Sequence, residues 1–92
     1  LPARYEPFGL SALEAALSGC ALVLGDLPTL REVWGDAALY VSPEDPQGLR
    51  STLEELVKDE TLRRDLAGRA SIQARLYSAD RMVEGYRALY RN

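Results

Sequence analysis

The stretch "GCALVLGD", residues 19–26, constrains the fold more than any other. Ala21 to Leu24 is an unbroken apolar run of strand length, bounded by Gly25 and Asp26. Both faces of such a strand are apolar, which fits a parallel sheet covered by helices on each side. Upstream, Leu10, Leu13 and Leu17 recur at helical spacing with alanines between them. That helix is predicted to open near Gly9 to Ser11 and to stop at Gly19, a natural left-handed cap. Downstream, Pro28 suits a first helical position, and "TLRE" (29–32) resembles a capping box. This short helix reaches Trp34 and ends at Gly35, and "ALYV" (38–41) reads as a second buried strand.

The rest of the chain reads as helix. "SPEDP" (42–46) is a turn in which Asp45 caps the next helix and Pro46 takes its first position. Leu49, Leu53, Leu56 and Val57 form one apolar stripe. A longer helix is predicted from about Glu60 to Leu76, carrying Leu62, Leu66 and Ala70. Ser78 caps a last helix with an apolar face of Met82, Val83, Tyr86, Leu89 and Tyr90. Helices alternating with strands make the fold class α/β. Two strands alone make a poor sheet. With Leu1 at the start and Met82 the only methionine, the chain reads as a piece of a longer protein.

Length and charge exclude several functions. The 92 residues suffice for one domain. The longest charge-free stretch, Ala15 to Gly25, falls far short of the ~20 residues of a membrane span. Cys20 stands alone, so no internal disulfide forms; with no His either, no zinc site of the usual kind is available. A net charge of −3 argues against a nucleic-acid partner. The charge is uneven, because residues 62–92 hold seven arginines against three acids. Such a basic tail suits solvated helix faces, or an acidic partner or anionic lipid.

The chemistry concentrates in "RYEPFGLSALEAALSGC", residues 4–20, where two glutamates flank "PFGLSAL". The first N–H groups of a helix have no partner inside it and carry partial positive charge, so the turn before this helix suits an anion. Gly9 has no side chain to block a ligand's approach to the backbone. At ~100° per residue, Glu14 falls roughly 40° from Leu10, at the edge of the apolar face. A carboxylate there suits vicinal hydroxyls, and Glu6 could meet a second polyol. Plainer readings stand beside these. "SALE" (11–14) is itself a capping box, Glu6 reads equally as a solvated loop acid, and Gly9 as a turn residue. A glycosidase pair is disfavoured: eight helical steps rise about 12 Å, against ~5–9.5 Å between hydrolytic carboxylates.

The run "LPARYEPFGLSALEAALSGCALVLGDLPTLREVWGDAALYVSPED" resembles the C-terminal signature of the retaining GT-B glycosyltransferases (glycosyl transferases group 1, family four). Two glutamates seven residues apart, the intervening Phe-Gly and "E-V-x-G-D-A…V-x-P-x-D" carry the resemblance over residues 1–46. Ala3 departs from it, since a Ser commonly follows the Pro. The resemblance implies a short parallel sheet flanked by helices in a Rossmann-like GT-B domain. Residues 1–92 would be the C-terminal half of the nucleotide-sugar-binding domain, with 1–46 the donor-site motif region and 47–92 a helical tail.

It also implies roles. Glu6 would be the catalytic residue, touching hydroxyls of the donor sugar. Backbone N–H groups of Phe8, Gly9 and Leu10 would face the sugar and diphosphate, and Glu14 would hold the ribose. No metal and no cofactor are implied. The partners would be a nucleotide-diphosphate sugar, an unknown acceptor and a missing N-terminal GT-B domain, in the cytoplasm or at the inner face of the membrane, with peripheral membrane contact open to the full-length protein. An exposed sheet edge also invites self-association. Rival readings are a non-enzymatic self-associating module and a nucleotide- or anion-binding regulatory domain.

Overall fold

The computed structural model describes the backbone of residues 2–90 and the side-chain surroundings of residues 2–78. Three strands, β1 (Ala3–Glu6), β2 (Ala21–Gly25) and β3 (Leu39–Val41), form a parallel sheet in the order β1-β2-β3. Ala3 lies beside Ala21 and Glu6 beside Leu24; on the other side of β2, Val23 lies beside Leu39. The helices are α1 (Ala12–Leu17), α2 (Pro28–Trp34), α3 (Pro46–Lys58) and α4 (Glu60–Tyr90), with a 3-10 turn at Gly35–Ala37.

Every residue of β2 is buried, as a central parallel strand requires. Its alternation feeds two clusters. Leu22 and Leu24 join Ala12, Ala15, Ala16 and Trp34 on one face, whereas Ala21 and Val23 join Val41, Leu56 and Leu66 on the other. Leu22, Val23, Leu24 and Leu56 are fully enclosed, and each contributes about 1.5–3 kcal/mol through its burial. Helix α4 supplies Leu66 and Ala67 to one cluster and Ala70 and Ala74 to the other, so it passes from one face of the sheet to the other. Among the described residues no helix is long and apolar enough to cross a membrane.

The caps at glycine and aspartate form as predicted. Gly19 and Gly35 take φ of +86° and +51°, and the Asp45 carboxylate accepts the Gly48 N–H at 2.9 Å. Other expectations are corrected. The sheet has three strands, because Ala3 and Tyr5 alternate with Arg4 and Glu6 in a third strand. Helix α1 begins at Ala12, since the chain is still turning at Gly9. It buries its alanines and leaves Leu10 and Leu17 exposed, because small residues let it approach β2 and α4 closely. Val57 is exposed too: it sits ~100° round the helix from Leu56, which faces the sheet.

Neither predicted capping box forms. Helix α2 starts at Pro28, so Thr29 is already inside its first turn, and Ser11 makes no side-chain bond at the start of α1. Ser78 caps nothing; α4 runs straight through it to Tyr90, with no Pro along its length to break it. The apolar face predicted for Met82, Val83, Tyr86, Leu89 and Tyr90 lies outside the described side chains.

Candidate functional site

Strand β1 delivers Glu6 at its carboxyl end, and the chain then reverses in two successive tight turns. The Gly9 N–H donates to the Glu6 carbonyl at 3.2 Å, closing a turn with Pro7 at its second position. The Ala12 N–H donates to the Gly9 carbonyl at 3.2 Å, closing the next. Two glycines make this path possible. Gly9 sits at φ +72°, and a Cβ there would run into the Leu30 side chain. Gly25, at the end of β2, leaves room for the Pro7 carbonyl, which a Cβ would overlap.

The two glutamates have different surroundings. Glu6 Oε1 accepts a hydrogen bond from Arg4 Nη2 at 3.0 Å, with the Glu6 side chain 15% exposed and that of Arg4 54%. Both lie on the face of β1 opposite Ala3 and Tyr5, which pack toward α3. Glu14 stands exposed in the first turn of α1 and makes no hydrogen bond or ion pair among the described residues. The side chains of Phe8 and Leu10 are 65% and 89% exposed. Of the three N–H groups expected at a ligand, that of Gly9 is engaged inside the turn. Those of Phe8 and Leu10 donate to no backbone oxygen among the described residues.

A second set of charges gathers after β2. Asp26 pairs with Arg31, and the Arg31 guanidinium lies 4.4 Å from the centre of the Tyr40 ring. The hydrogen bond from Arg31 holds the Asp26 carboxyl below the usual carboxylate range. Burial pushes the Tyr40 phenol up, and its hydroxyl donates to the Gly35 carbonyl at 2.7 Å. On the outer side of the Pro7–Ser11 turn, Gly9, Leu10 and Leu13 face Leu30, Val33 and Trp34 across a groove of about 280 Å³. Open α/β sheets bind ligands beyond the carboxyl ends of their strands, and Glu6, Asp26 and the Ser42–Asp45 turn all follow such ends. Among the described residues no three His, Cys, Asp or Glu side chains gather as metal ligands.

Residues 1–73 match the model of the family described as glycosyl transferases group 1. The chain belongs to that family. It is 34% identical to the O-antigen chain mannosyltransferase B of Escherichia coli over 77 residues, covering 84% of this chain and 20% of that protein. It is 33% identical to the serotype-specific mannosyltransferase WbdA of Escherichia coli over 92 residues, covering 96% of this chain and 11% of that protein. A third similarity is to the glycogen synthase of Mycobacterium tuberculosis, 39% over 61 residues, covering 64% of this chain and 15% of that protein. The chain therefore spans only 11–20% of the length of these relatives. No solved structure matches it.

In this member of the glycosyl transferases group 1, sequence reasoning missed two residues that shape the turn. Arg4 stands just before the motif in sequence, and the alternation of "ARYE" in a strand places it on the same face as Glu6. Gly25 was read only as the end of a strand, and nothing in the sequence shows that another segment's backbone would lie against it.

Proposed function

We propose that residues 1–92 form the C-terminal half of the nucleotide-sugar-binding domain of a retaining GT-B glycosyltransferase. Residues 1–46 carry the donor motif and 47–92 the helical tail. The observation that carries this reading is Glu6 at the carboxyl end of a parallel strand, followed by a tight glycine turn and then Glu14, in a chain of this family. The full-length enzyme moves a sugar from a nucleotide diphosphate to an acceptor hydroxyl. Glu6 accepts hydrogen bonds from hydroxyls of the transferred sugar. Free N–H groups of the Phe8–Leu10 turn face the sugar and diphosphate, and Glu14 holds the ribose. The bond from the anomeric carbon to the diphosphate oxygen breaks as the acceptor oxygen bonds on the same face. The acceptor's proton passes to the departing diphosphate, and bonding on the face that the diphosphate leaves retains the configuration.

The remaining parts come from the rest of the protein. Cations for the diphosphate lie upstream, and the acceptor binds in an N-terminal domain. The free edge of β1 takes the preceding strand of the sheet. The name of the O-antigen relative supports a role in polysaccharide assembly, and we place the enzyme in the cytoplasm or at the inner face of the membrane. The 92 residues alone turn over no donor, because much of catalysis comes from orienting both reactants. The test is to incubate the full-length protein with UDP-glucose, ADP-glucose and GDP-mannose, following nucleoside diphosphate release and the anomeric proton of the first product by NMR. Turnover of one donor with retained configuration is expected. Inversion, or no turnover of any donor, would contradict the reading.

A further inference from the structure

We infer that Arg4 is a positioning residue for the Glu6 carboxylate, holding one oxygen so that the other is presented to the transferred sugar. The inference rests on the proposed role of Glu6. Strand alternation places Arg4 and Glu6 on one face of β1, and the Nη2–Oε1 distance of 3.0 Å is that of a hydrogen bond. The second oxygen, Oε2, accepts no hydrogen bond within the described chain and is not sealed from solvent. One oxygen is held and one is open, which is the arrangement a hydroxyl ligand needs. Glu14 provides the contrast, because its carboxylate has no partner at all among the described residues. Of the two glutamates, only the one assigned to the reacting sugar is braced.

The brace is built on a strand rather than a loop. β1 is fixed by its pairing with β2 from Ala3 through Glu6, so both ends of the ion pair are set by one rigid segment. A free glutamate samples several rotamers, and each must be given up when the sugar binds. A carboxylate already held by its neighbour loses less, and keeps its geometry as charge develops. An ordinary surface ion pair of this kind contributes little to stability. Removing Arg4 should therefore show in turnover and not in folding.

The experiment uses the full-length protein with a donor that it turns over, and compares Arg4→Ala, Arg4→Lys, Glu6→Gln and the Arg4→Ala/Glu6→Gln double variant. Arg4→Ala is expected to lower kcat by about 10-fold or more, on the scale of a hydrogen bond to a charged group, with donor KM and melting temperature unchanged. Arg4→Lys should restore part of the loss, and should carry the comparison if the alanine variant melts early. In the Glu6→Gln background, Arg4→Ala should add almost nothing. A low kcat in Glu6→Gln beside a full kcat in Arg4→Ala would overturn this inference alone. A full kcat in Glu6→Gln would remove the role of Glu6 and this inference with it. A raised donor KM at full kcat in Arg4→Ala would make Arg4 a donor ligand instead, and also overturns it.

Discussion

No side chain fits between Gly25 and Pro7: a Cβ on Gly25 would overlap the Pro7 carbonyl oxygen. The end of β2 thus supports the turn that follows Glu6, and the two backbones touch. Backbone cannot swing aside as a side-chain end does, so Gly25→Ala must move the turn. The expected cost is about 1–3 kcal/mol, the scale of overpacking in a close-packed interior. Gly68→Ala is the control. It lies in α4 with open space around it, and should stabilise by about 0.5–1 kcal/mol. Urea unfolding of both variants measures the difference, and the two should differ in sign.

The Asp26–Arg31 pair predicts how stability falls in acid. The Asp26 pKa is lowered in the folded state, chiefly by the hydrogen bond from Arg31. Its contribution is therefore present above the unfolded value of about 3.9, and is lost as pH falls through the lower folded value. Tyr40 works at the other end. Its pKa is raised by burial, so its contribution is present below about 10 and is lost as pH rises through the folded value. Melting temperatures across the acid range should fall less steeply in Arg31→Met than in the wild type. Parallel curves would show that the pair does not govern this region.

Arg63 closes the end of α3. Its Nη1 donates to the carbonyls of Leu56 at 2.7 Å and Val57 at 3.2 Å, which as carbonyls of a helix's last turn lack intrahelical N–H donors. Arg63→Met should destabilise by about 1.5 kcal/mol. That is the low end of the ~1.5–3 kcal/mol for hydrogen bonds to charged groups, because Arg63 Nε is buried without a partner and that penalty disappears with it. Denaturant midpoints compared at constant slope provide the check.

Among the described residues no strand lies beside the outer edge of β1, where the sheet order places β2 on the other side. An unpaired edge is a template for pairing with another chain. The isolated chain should accordingly self-associate, with an apparent mass by light scattering that rises above 10.2 kDa with concentration. A constant monomer mass up to millimolar concentration would count against it.

The sequence showed the two-faced burial of β2, because four apolar residues in a row leave no polar face. It also showed the caps that rest on one residue's own chemistry, at Gly19, Gly35 and Asp45. It misled where the outcome depended on which neighbour arrives. Leucine spacing pointed to one face of α1, but alanines fill the space beside β2, Leu13 packs there only in part, and Leu10 and Leu17 are exposed. Strand β1 escaped notice because its outward residues, Arg4 and Glu6, are charged and only two inward residues carry the pattern. At the site, the positions of both glutamates were legible, but the partner of Glu6 and the glycine beneath Pro7 depend on contacts between segments.

The most direct measurement compares Glu6→Gln and Glu14→Gln in the full-length protein by steady-state kinetics and thermal melting. In the proposed site Glu14 holds the ribose, a part of the donor that does not react, so its loss would remove binding common to ground and transition states. Donor KM should rise about 10–150-fold, the range of a hydrogen bond to a charged group, with kcat nearly intact. The melting temperature should hold, since the Ser11 side chain makes no capping bond for Glu14 to complete. Glu6→Gln should lower kcat by at least that factor, because the proposed role puts Glu6 beside the bond to the diphosphate that breaks. A full kcat in Glu6→Gln, or an unchanged donor KM with a lowered melting temperature in Glu14→Gln, would contradict the assignment of these carboxylates to sugar and ribose.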